Sequence, residues 1–175
     1  MNRKPILIVA GEPNSVFLEI LFKAYKSKKF ISPLILIASY KLLKLQMKAL
    51  KFKKKINLLK LNKINQYKLN NKSINLINED FKTNKAFQKM NLHSSKYINN
   101  CFEIAIKLIK SGFSNKLING PISKKKFLNN KFFGITEYIS RNVSKKKTCM
   151  LIYNNTLSVS PVTTHLPIKL VSKKI

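Results

Sequence analysis

Acidic side chains are scarce in this sequence, which has six aspartates and glutamates against 35 lysines and arginines and a formal net charge of +29. Such a charge attracts phosphate polymers and would suit a nucleic-acid-binding protein. Arginine, however, occurs only at Arg3 and Arg141, and arginine is the residue that reads guanine edges and grips phosphates through paired hydrogen bonds. The abundant lysine, asparagine and isoleucine all have AT-rich codons, which favours compositional drift. Nucleic acid is therefore not an expected partner, although a small basic nucleic-acid-binding protein remains the alternative.

Long apolar runs are also absent. The longest, Ile31–Tyr40, is interrupted by two serines and a proline and is well short of the ~20 residues that cross a bilayer. The apolar segment behind the basic N-terminus, Pro5–Ala10, is too short for the core of a signal peptide. We therefore expect a cytoplasmic protein that does not enter a membrane.

Cysteine and histidine are rare as well. Cys101 and Cys149 do not have a metal-binding spacing, and we expect buried free thiols rather than a disulfide. His93 lies in a polar stretch and is expected at the surface or at the start of a helix. The sequence contains no Ser-His-Asp triad, no P-loop and no Gly-x-Gly-x-x-Gly fingerprint. These common catalytic and nucleotide-binding classes are therefore excluded.

The residues that are present predict an α/β layered fold. Hydrophobic residues make up 45% of the 175 residues, enough for a substantial core. Two short apolar runs, Pro5–Ala10 and Pro33–Ala38, are typical of strands buried on both faces. A helix follows each run, the second from Lys41 to about Leu50. The first begins near Ser15, and its predicted apolar stripe comprises Val16, Phe17, Ile20, Leu21 and Ala24.

The rest of the chain is less regular. Lys51–Asn91 is rich in lysine and asparagine and is interpreted as weak strands and loops. A clear amphipathic helix begins near Ser94, with Tyr97, Ile98, Cys101, Ile104, Ala105, Leu108 and Ile109 on its apolar face. The later predicted elements are a strand at Lys116–Asn119, a helix at Lys124–Asn129, a hairpin of Thr148–Tyr153 with Leu157–Val162, and a helix or turn at Leu166–Val171.

Two of the three candidate site segments contain a glycine after a predicted strand. In Gly11-Glu12-Pro13-Asn14-Ser15, the glycine permits a sharp turn, and the following helix N-terminus can face an anion. Alternatively, this is only a turn into a helix. The segment from Gly120 to Lys124 brings backbone amide, hydroxyl and ammonium groups together, as a phosphate site requires. Its alternative is a serine cap followed by solvated lysines.

The third segment contains His165. This histidine follows an apolar strand, is preceded by Thr163 and Thr164, and stands two residues before Pro167. An imidazole at a strand end is well placed for a metal ion. A single histidine does not make a metal site, however, and a hydrogen-bonded structural histidine is the alternative.

In their order along the chain, these segments resemble the PdxA family of 4-hydroxythreonine-4-phosphate dehydrogenases. The family has a Gly-Asp-Pro turn after its first strand, then Ala-Pro-Ile-x-Lys, Gly-His-Thr-Glu and Thr-Thr-His-Leu-Pro-Leu segments. The matching segments are Gly11–Pro13, Gly120–Lys124, Gly134–Glu137 and Thr163–Ile168. Four matches in the same order are more specific than any one of them.

The resemblance implies an isocitrate/isopropylmalate-dehydrogenase-like α/β sheet with flanking helices, here truncated. Residues 1–175 would be a single incomplete α/β unit, the N-terminal part of a homodimeric enzyme. That enzyme would oxidise 4-phosphooxy-L-threonine with NAD in pyridoxal 5'-phosphate (vitamin B6) biosynthesis, and the oxo acid would then lose carbon dioxide. The implied cofactors are NAD and a divalent metal (Zn, Mg or Co). His165 would be a metal ligand and Thr136 a substrate contact, while Gly11–Pro13 and Lys124 would belong to the site loops.

The sequence departs from the family pattern at two of these positions. Ile135 replaces the histidine of Gly-His-Thr-Glu and cannot donate a hydrogen bond to a substrate. Glu12 replaces an aspartate and keeps the carboxylate. The other metal-binding histidines of the family and most of its NAD-binding residues lie beyond the part that this chain matches. We therefore expect the 175-residue chain alone to be inactive, and a non-catalytic relict domain is a further alternative.

Overall fold

The computed structural model describes residues 3–87, 92–123, 134–143, 148–163, 166–173 and 175. Their main feature is a five-stranded sheet. Its strands are β1 (Ile6–Val9), β2 (Leu34–Ala38), β3 (Ile56–Leu59), β4 (Ile74–Asn78) and β5 (Lys116–Asn119). The helices are α1 (Phe17–Ser27), α2 (Tyr40–Ala49), α3 (Leu92–Lys110) and α4 (Ile135–Val143), with 3-10 helices at Leu61–Gln66 and Ile168–Lys173. A separate hairpin pairs β6 (Ile152–Tyr153) with β7 (Ser158–Val159).

The sheet has the order β3-β4-β2-β1-β5, and all four strand pairings are parallel. The two aliphatic strands β1 and β2 lie near its centre, because their side chains are buried on both faces. One face packs against α3 in a cluster that includes Leu7, Val9, Ile35 and Ile37, and the other includes Ile8, Leu34 and Leu36 with residues of α1 and α2. The predicted α/β layered fold is therefore confirmed.

The predicted apolar stripe of α1 is partly wrong. Val16 and Ile20 are 60% and 56% exposed. The buried residues of the helix are Leu18, Leu21 and Phe22. Phe22 stacks on Phe52, with 4.2 Å between ring centroids. The helix is therefore rotated about its axis from the predicted orientation, because the ring of Phe52 offers a packing partner that local spacing does not reveal.

The strands predicted within residues 51–91 are confirmed as β3 and β4, and β4 is more deeply buried than predicted. β4 lies between β2 and β3, and its residues Ile74 to Ile77 are buried. Asn75 is only 1% exposed, and its amide donates to the carbonyl oxygens of Leu34 at 2.9 Å and Asn70 at 2.8 Å. Because these bonds offset the cost of burying the amide, an asparagine occupies an interior strand position and obscures the apolar pattern.

The later predictions have mixed outcomes. The apolar face predicted for α3 is confirmed, and Phe102 is fully buried beside it. The hairpin is confirmed, with shorter strands than predicted. Both cysteines are free, as expected, but only Cys101 is buried, so the predicted burial of Cys149 is wrong. The predicted helix at 124–129 lies outside the described residues. Within the described residues, no helix has the length and apolarity needed to span a membrane.

Candidate functional site

The loops that follow β1 and β5 meet at one edge of the sheet. Parallel strands all end on the same side, which we call the carboxyl edge, and ligand sites of open α/β sheets lie there. The backbone amide of Glu12 donates to the carbonyl oxygen of Pro121 at 3.0 Å, and the amide of Gly120 donates to that of Val9 at 2.8 Å. Two of the three predicted site segments are therefore in direct contact.

This contact requires glycine on both sides. Gly11 has a φ of 76°, and a Cβ atom there would lie 2.4 Å from the carbonyl oxygen of Pro121. A Cβ atom on Gly120 would lie 2.1 Å from the carbonyl oxygen of Ala10 and 2.8 Å from Cγ of Phe17. Because the obstructing carbonyl atoms belong to backbone held in or next to the sheet, any larger residue would force the two loops apart.

The side chain of Gln46 is hydrogen-bonded to the loop that follows β1. This side chain is 1% exposed, and Nε2 donates to the carbonyl oxygens of Pro13 and Ala86, each at 2.7 Å. Its Oε1 atom has no hydrogen-bond partner among the described residues. Gln46 was not predicted from the sequence as a site residue. The available signal was a polar residue on the apolar face of α2, between the buried Leu43 and Met47.

Acidic residues gather at the same edge after β4. The Asn78 side chain accepts a hydrogen bond from the backbone amide of Tyr40 at 2.7 Å. Glu79 accepts one from the side-chain amide of Asn100 at 2.7 Å. With Glu12 and the neighbouring Asp80, three of the six acidic residues of the chain lie here. Glu12 was a predicted site residue. Glu79 and Asp80 were not, because only weak strands were predicted in residues 51–91 and the burial of β4 was not foreseen.

Two buried polar side chains of α3, Tyr97 and Cys101, lie close to the carboxyl edge. The Tyr97 hydroxyl accepts a hydrogen bond from the backbone amide of Ser39 at 3.0 Å. Burial raises the pKa of Tyr97 well above its ordinary value. Burial, and secondly the charge of Glu79, raises the pKa of the Cys101 thiol far above its ordinary value. Cys101 therefore stays a thiol at neutral pH and is not a nucleophile, since the thiolate is the reactive form.

Helix α4 carries two of the predicted site residues, which have different environments. Ile135 is half-buried and packs against the core cluster that includes α3. Thr136 is exposed to solvent. The Tyr138 hydroxyl donates to Oδ1 of Asn99 at 3.0 Å, and its ring meets Phe102 edge-on at 5.7 Å between centroids. α4 thus lies along the half of α3 that reaches the carboxyl edge, with the hydroxyl of Thr136 open to solvent.

The other two predicted side chains, Lys124 and His165, lie outside the described residues. Among the residues that are described, no group of three or more histidine, cysteine, aspartate or glutamate side chains is arranged to hold a metal ion. The described part of the site therefore does not form a metal centre by itself. It offers the half-buried carboxylate of Glu12, the backbone of two tightly joined loops and the hydroxyl of Thr136.

Comparison with known proteins relates this arrangement to one family. The model of the family described as pyridoxal phosphate biosynthetic protein PdxA matches residues 29–175. No curated protein matches the sequence.

Three similar solved structures are 4-hydroxythreonine-4-phosphate dehydrogenases. The protein from Salmonella typhimurium has a TM-score of 0.80 at 18% identity over 99% of this chain and 55% of its own. The protein from Burkholderia phymatum has a TM-score of 0.81 at 19% identity, over 98% of this chain and 53% of its own. The protein from Klebsiella pneumoniae has a TM-score of 0.80 at 17% identity, over 98% and 54%. At these identities the likeness establishes the fold, and this chain spans about half the length of each.

Proposed function

This chain belongs to the PdxA family of pyridoxal phosphate biosynthetic proteins, and we propose that it forms the N-terminal part of a 4-hydroxythreonine-4-phosphate dehydrogenase. The observation that carries the proposal is the family match over residues 29–175. In the proposed reaction, the secondary alcohol of 4-phosphooxy-L-threonine transfers a hydride to NAD, and the resulting oxo acid loses carbon dioxide. The product would serve pyridoxal 5'-phosphate biosynthesis, in the cytoplasm.

The proposed substrate site is the carboxyl edge of the sheet. Gly11 and Gly120 allow the loops after β1 and β5 to cross in close contact, which gives the site a fixed backbone frame. We assign the loop Gly11-Glu12-Pro13 to this site. We also assign Lys124, because an ammonium group near the second loop would attract the substrate phosphate. Preorganised loops position a substrate without ordering cost at the moment of binding.

Thr136 and Ile135 are proposed to lie against the substrate. The exposed hydroxyl of Thr136 can donate and accept hydrogen bonds. The side chain of Ile135 can do neither, and it packs partly into the core. A site built with an imidazole at this position would bind a hydroxylated substrate more tightly. We therefore expect Ile135→His to raise kcat/KM for 4-phosphooxy-L-threonine. The assay uses the gene product at its natural length, called the natural-length gene product below. An unchanged kcat/KM would count against the assignment.

His165 is proposed as one ligand of a divalent zinc, magnesium or cobalt ion. Such an ion, when bound, supplies Lewis-acid polarisation of the substrate oxygen. Because the described residues do not form a metal centre alone, we assign no step to the metal. We propose that residues 1–175 are one incomplete α/β unit, and that turnover requires further residues and a second subunit of a homodimer.

Replacement of His165 tests this proposal. In the natural-length gene product, His165→Ala should lower both the bound divalent metal and the rate of NADH formation by roughly 100-fold or more, because a metal ligand is lost. His93→Ala is the matched control, since it removes the other histidine of the sequence and should keep both quantities. If His165→Ala keeps its metal content and its rate, His165 is not a ligand.

A further inference from the structure

An open basic cavity lies on the surface at the amino edge of the sheet, the edge where the parallel strands begin, opposite the candidate substrate site. Lys44, Lys48, Lys53 and Lys55 in its lining are exposed to solvent. The cavity has a volume of about 790 Å³ and is formed where α2 ends and the chain turns into β3. Its lining residues are Lys44, Leu45, Met47, Lys48, Phe52, Lys53, Lys54 and Lys55. Five of these eight residues are lysines. The volume is within the range of roughly 300–1,000 Å³ that is usual for small-molecule sites.

Among the described residues, no acidic side chain forms an ion pair with a lysine of this cavity. No acidic residue occurs between Glu19 and Glu79 in the sequence. Among the described residues, the ion pairs are Lys23 with Glu19 and Arg141 with Glu137, and none of these side chains lines the cavity. Ammonium groups brought together in one cavity repel one another, even in water. An anion bound among the lysines would remove that repulsion.

Phe52 is the aromatic residue among those that line the cavity, and it offers no open stacking surface. Phe52 is 6% exposed and stacks on Phe22. The ammonium group of Lys54 lies 4.9 Å from the ring centroid of Tyr25, and that of Lys26 lies 5.7 Å from the centroid of Phe52. Single-stranded nucleic acid is usually bound by exposed aromatic faces together with cationic groups. This cavity provides the cationic groups without such a face.

From these observations we propose that the cavity binds a compact anion of two or three linked phosphate groups, either free or as part of a nucleotide. Lysine is a suitable residue because its ammonium group is a point charge with three donors that can follow a phosphate chain. The other residues that line the cavity, Leu45, Met47 and Phe52, are apolar. The site is separate from the carboxyl edge, because the strands of a parallel sheet all begin at one edge and end at the other.

Calorimetric titration with inorganic tripolyphosphate tests the proposal. In buffer of about 0.15 M ionic strength, where distant surface charges are screened, we expect saturable binding of one anion per chain. The double variant Lys44→Gln/Lys48→Gln should weaken binding roughly tenfold or more, because two charge-assisted contacts are lost. A second pair, Lys53→Gln/Lys55→Gln, should do the same.

The matched control is Lys107→Gln/Lys110→Gln on α3, which removes the same charge from exposed positions on the other face of the sheet. Its affinity should stay within about twofold of the parent, since it changes only long-range electrostatics. Thermal unfolding of each variant shows whether the fold is intact. Equal weakening by the cavity and control pairs, or the absence of saturable binding in the parent, would overturn the proposal.

Two further titrations identify the source of the phosphate chain. Equal affinities for tripolyphosphate and ATP would mean that the phosphate chain alone is recognised, and tighter binding of ATP would point to a nucleotide. A single-stranded RNA oligonucleotide serves as the competing ligand. If the RNA binds at this ionic strength, Lys44→Gln/Lys48→Gln weakens it, and tripolyphosphate itself shows no saturable binding, the cavity is part of a nucleic-acid surface and the proposal is wrong.

Discussion

Two regions of the chain contain similar apolar residues but bury them to different extents. In residues 5–120, the parallel sheet buries side chains on both faces, under α1 and α2 on one side and α3 on the other. Beyond Gly120, none of the described residues is buried. In the hairpin of β6 and β7, Ile152, Tyr153 and Leu157 are between 61% and 70% exposed.

The difference shows that an apolar strand pattern and burial are separate properties. The hairpin is hydrogen-bonded, since the amide of Asn154 donates to the carbonyl oxygen of Leu157 at 2.9 Å. No second layer covers it among the described residues, however, and a two-stranded hairpin has little stability by itself. The central sheet is stable because each strand has neighbours beside it and helices above and below it.

The largest loss of stability is expected when a residue of the core is replaced. Phe102 is fully buried, and Phe102→Ala should lower the free energy of unfolding by about 3–5 kcal/mol, because it removes apolar contacts and leaves a cavity. Tyr153 is 70% exposed, and Tyr153→Ala should change that free energy by no more than about 0.5 kcal/mol. Urea unfolding measures both. Equal losses would mean that the hairpin is packed against something in solution.

A second pair of variants compares glycines in the two regions. Gly120→Ala would bring a methyl group against the backbone of Ala10, and the forced shift should cost roughly 1–3 kcal/mol of unfolding free energy. Gly134 has no neighbour within 4 Å of a Cβ atom, so Gly134→Ala should stay within about 0.5 kcal/mol of the parent. Chemical unfolding again measures both. If Gly120→Ala had no effect, the close crossing of the two loops would be incorrect.

A smaller effect is expected for the amide that supports the first loop. Gln46→Leu leaves the carbonyl oxygens of Pro13 and Ala86 without their donor and should cost about 1–2 kcal/mol. Hydrogen exchange at the amide of Ser15, which donates to Glu12 in the same loop at 3.0 Å, should become faster. Unchanged exchange in Gln46→Leu would show that Gln46 does not hold this loop.

The matched control for Gln46→Leu is Asn142→Leu, on α4. Asn142 is exposed, and its side-chain amide also donates to a backbone carbonyl, that of Tyr138 at 2.8 Å. Because water can replace this bond, the variant should lose at most about 0.5 kcal/mol. A loss as large as that of Gln46→Leu would mean that burial is not what makes the difference.

The smallest expected change in stability occurs only in alkaline solution. Burial raises the pKa of Tyr25 from 10.0 to about 12. The folded state therefore keeps its proton more tightly than the unfolded state, so the contribution of this group is complete below pH 10 and is lost as the pH rises toward 12. Tyr25→Phe should flatten part of the fall in thermal stability over that interval. An unchanged slope would mean that Tyr25 ionises in the folded protein as it does in the unfolded chain.

The sequence predicted the parts of the fold that depend on local pattern. β1 and β2 were identified from aliphatic runs, and the long α3 from its helical spacing. Weak strands were predicted in the region of β3 and β4, but the full burial of β4 was not, because Asn75 is satisfied by carbonyl groups from elsewhere in the chain. The orientation of α1 was predicted incorrectly, because it depends on the stacking of Phe22 on Phe52.

In the candidate site, too, the residues predicted correctly are those that a local sequence pattern marks. The glycines after β1 and β5 were identified because each directly follows a predicted strand, and the ends of parallel strands lie together. Gln46 and Glu79 were missed because their roles depend on partners 33 and 21 residues away, namely Pro13 and Asn100. Whether Thr136, Ile135 and His165 act on a substrate or metal stays a prediction, drawn from the family motif.

One assay tests the proposed dehydrogenase function. The natural-length gene product is supplied with 4-phosphooxy-L-threonine, NAD and zinc, magnesium or cobalt in turn, and NADH formation and carbon dioxide release are followed together. We expect both products to appear with at least one metal, and the 175-residue chain alone to give neither. Failure of the natural-length protein with all three metals, or turnover by the 175-residue chain alone, would contradict this expectation.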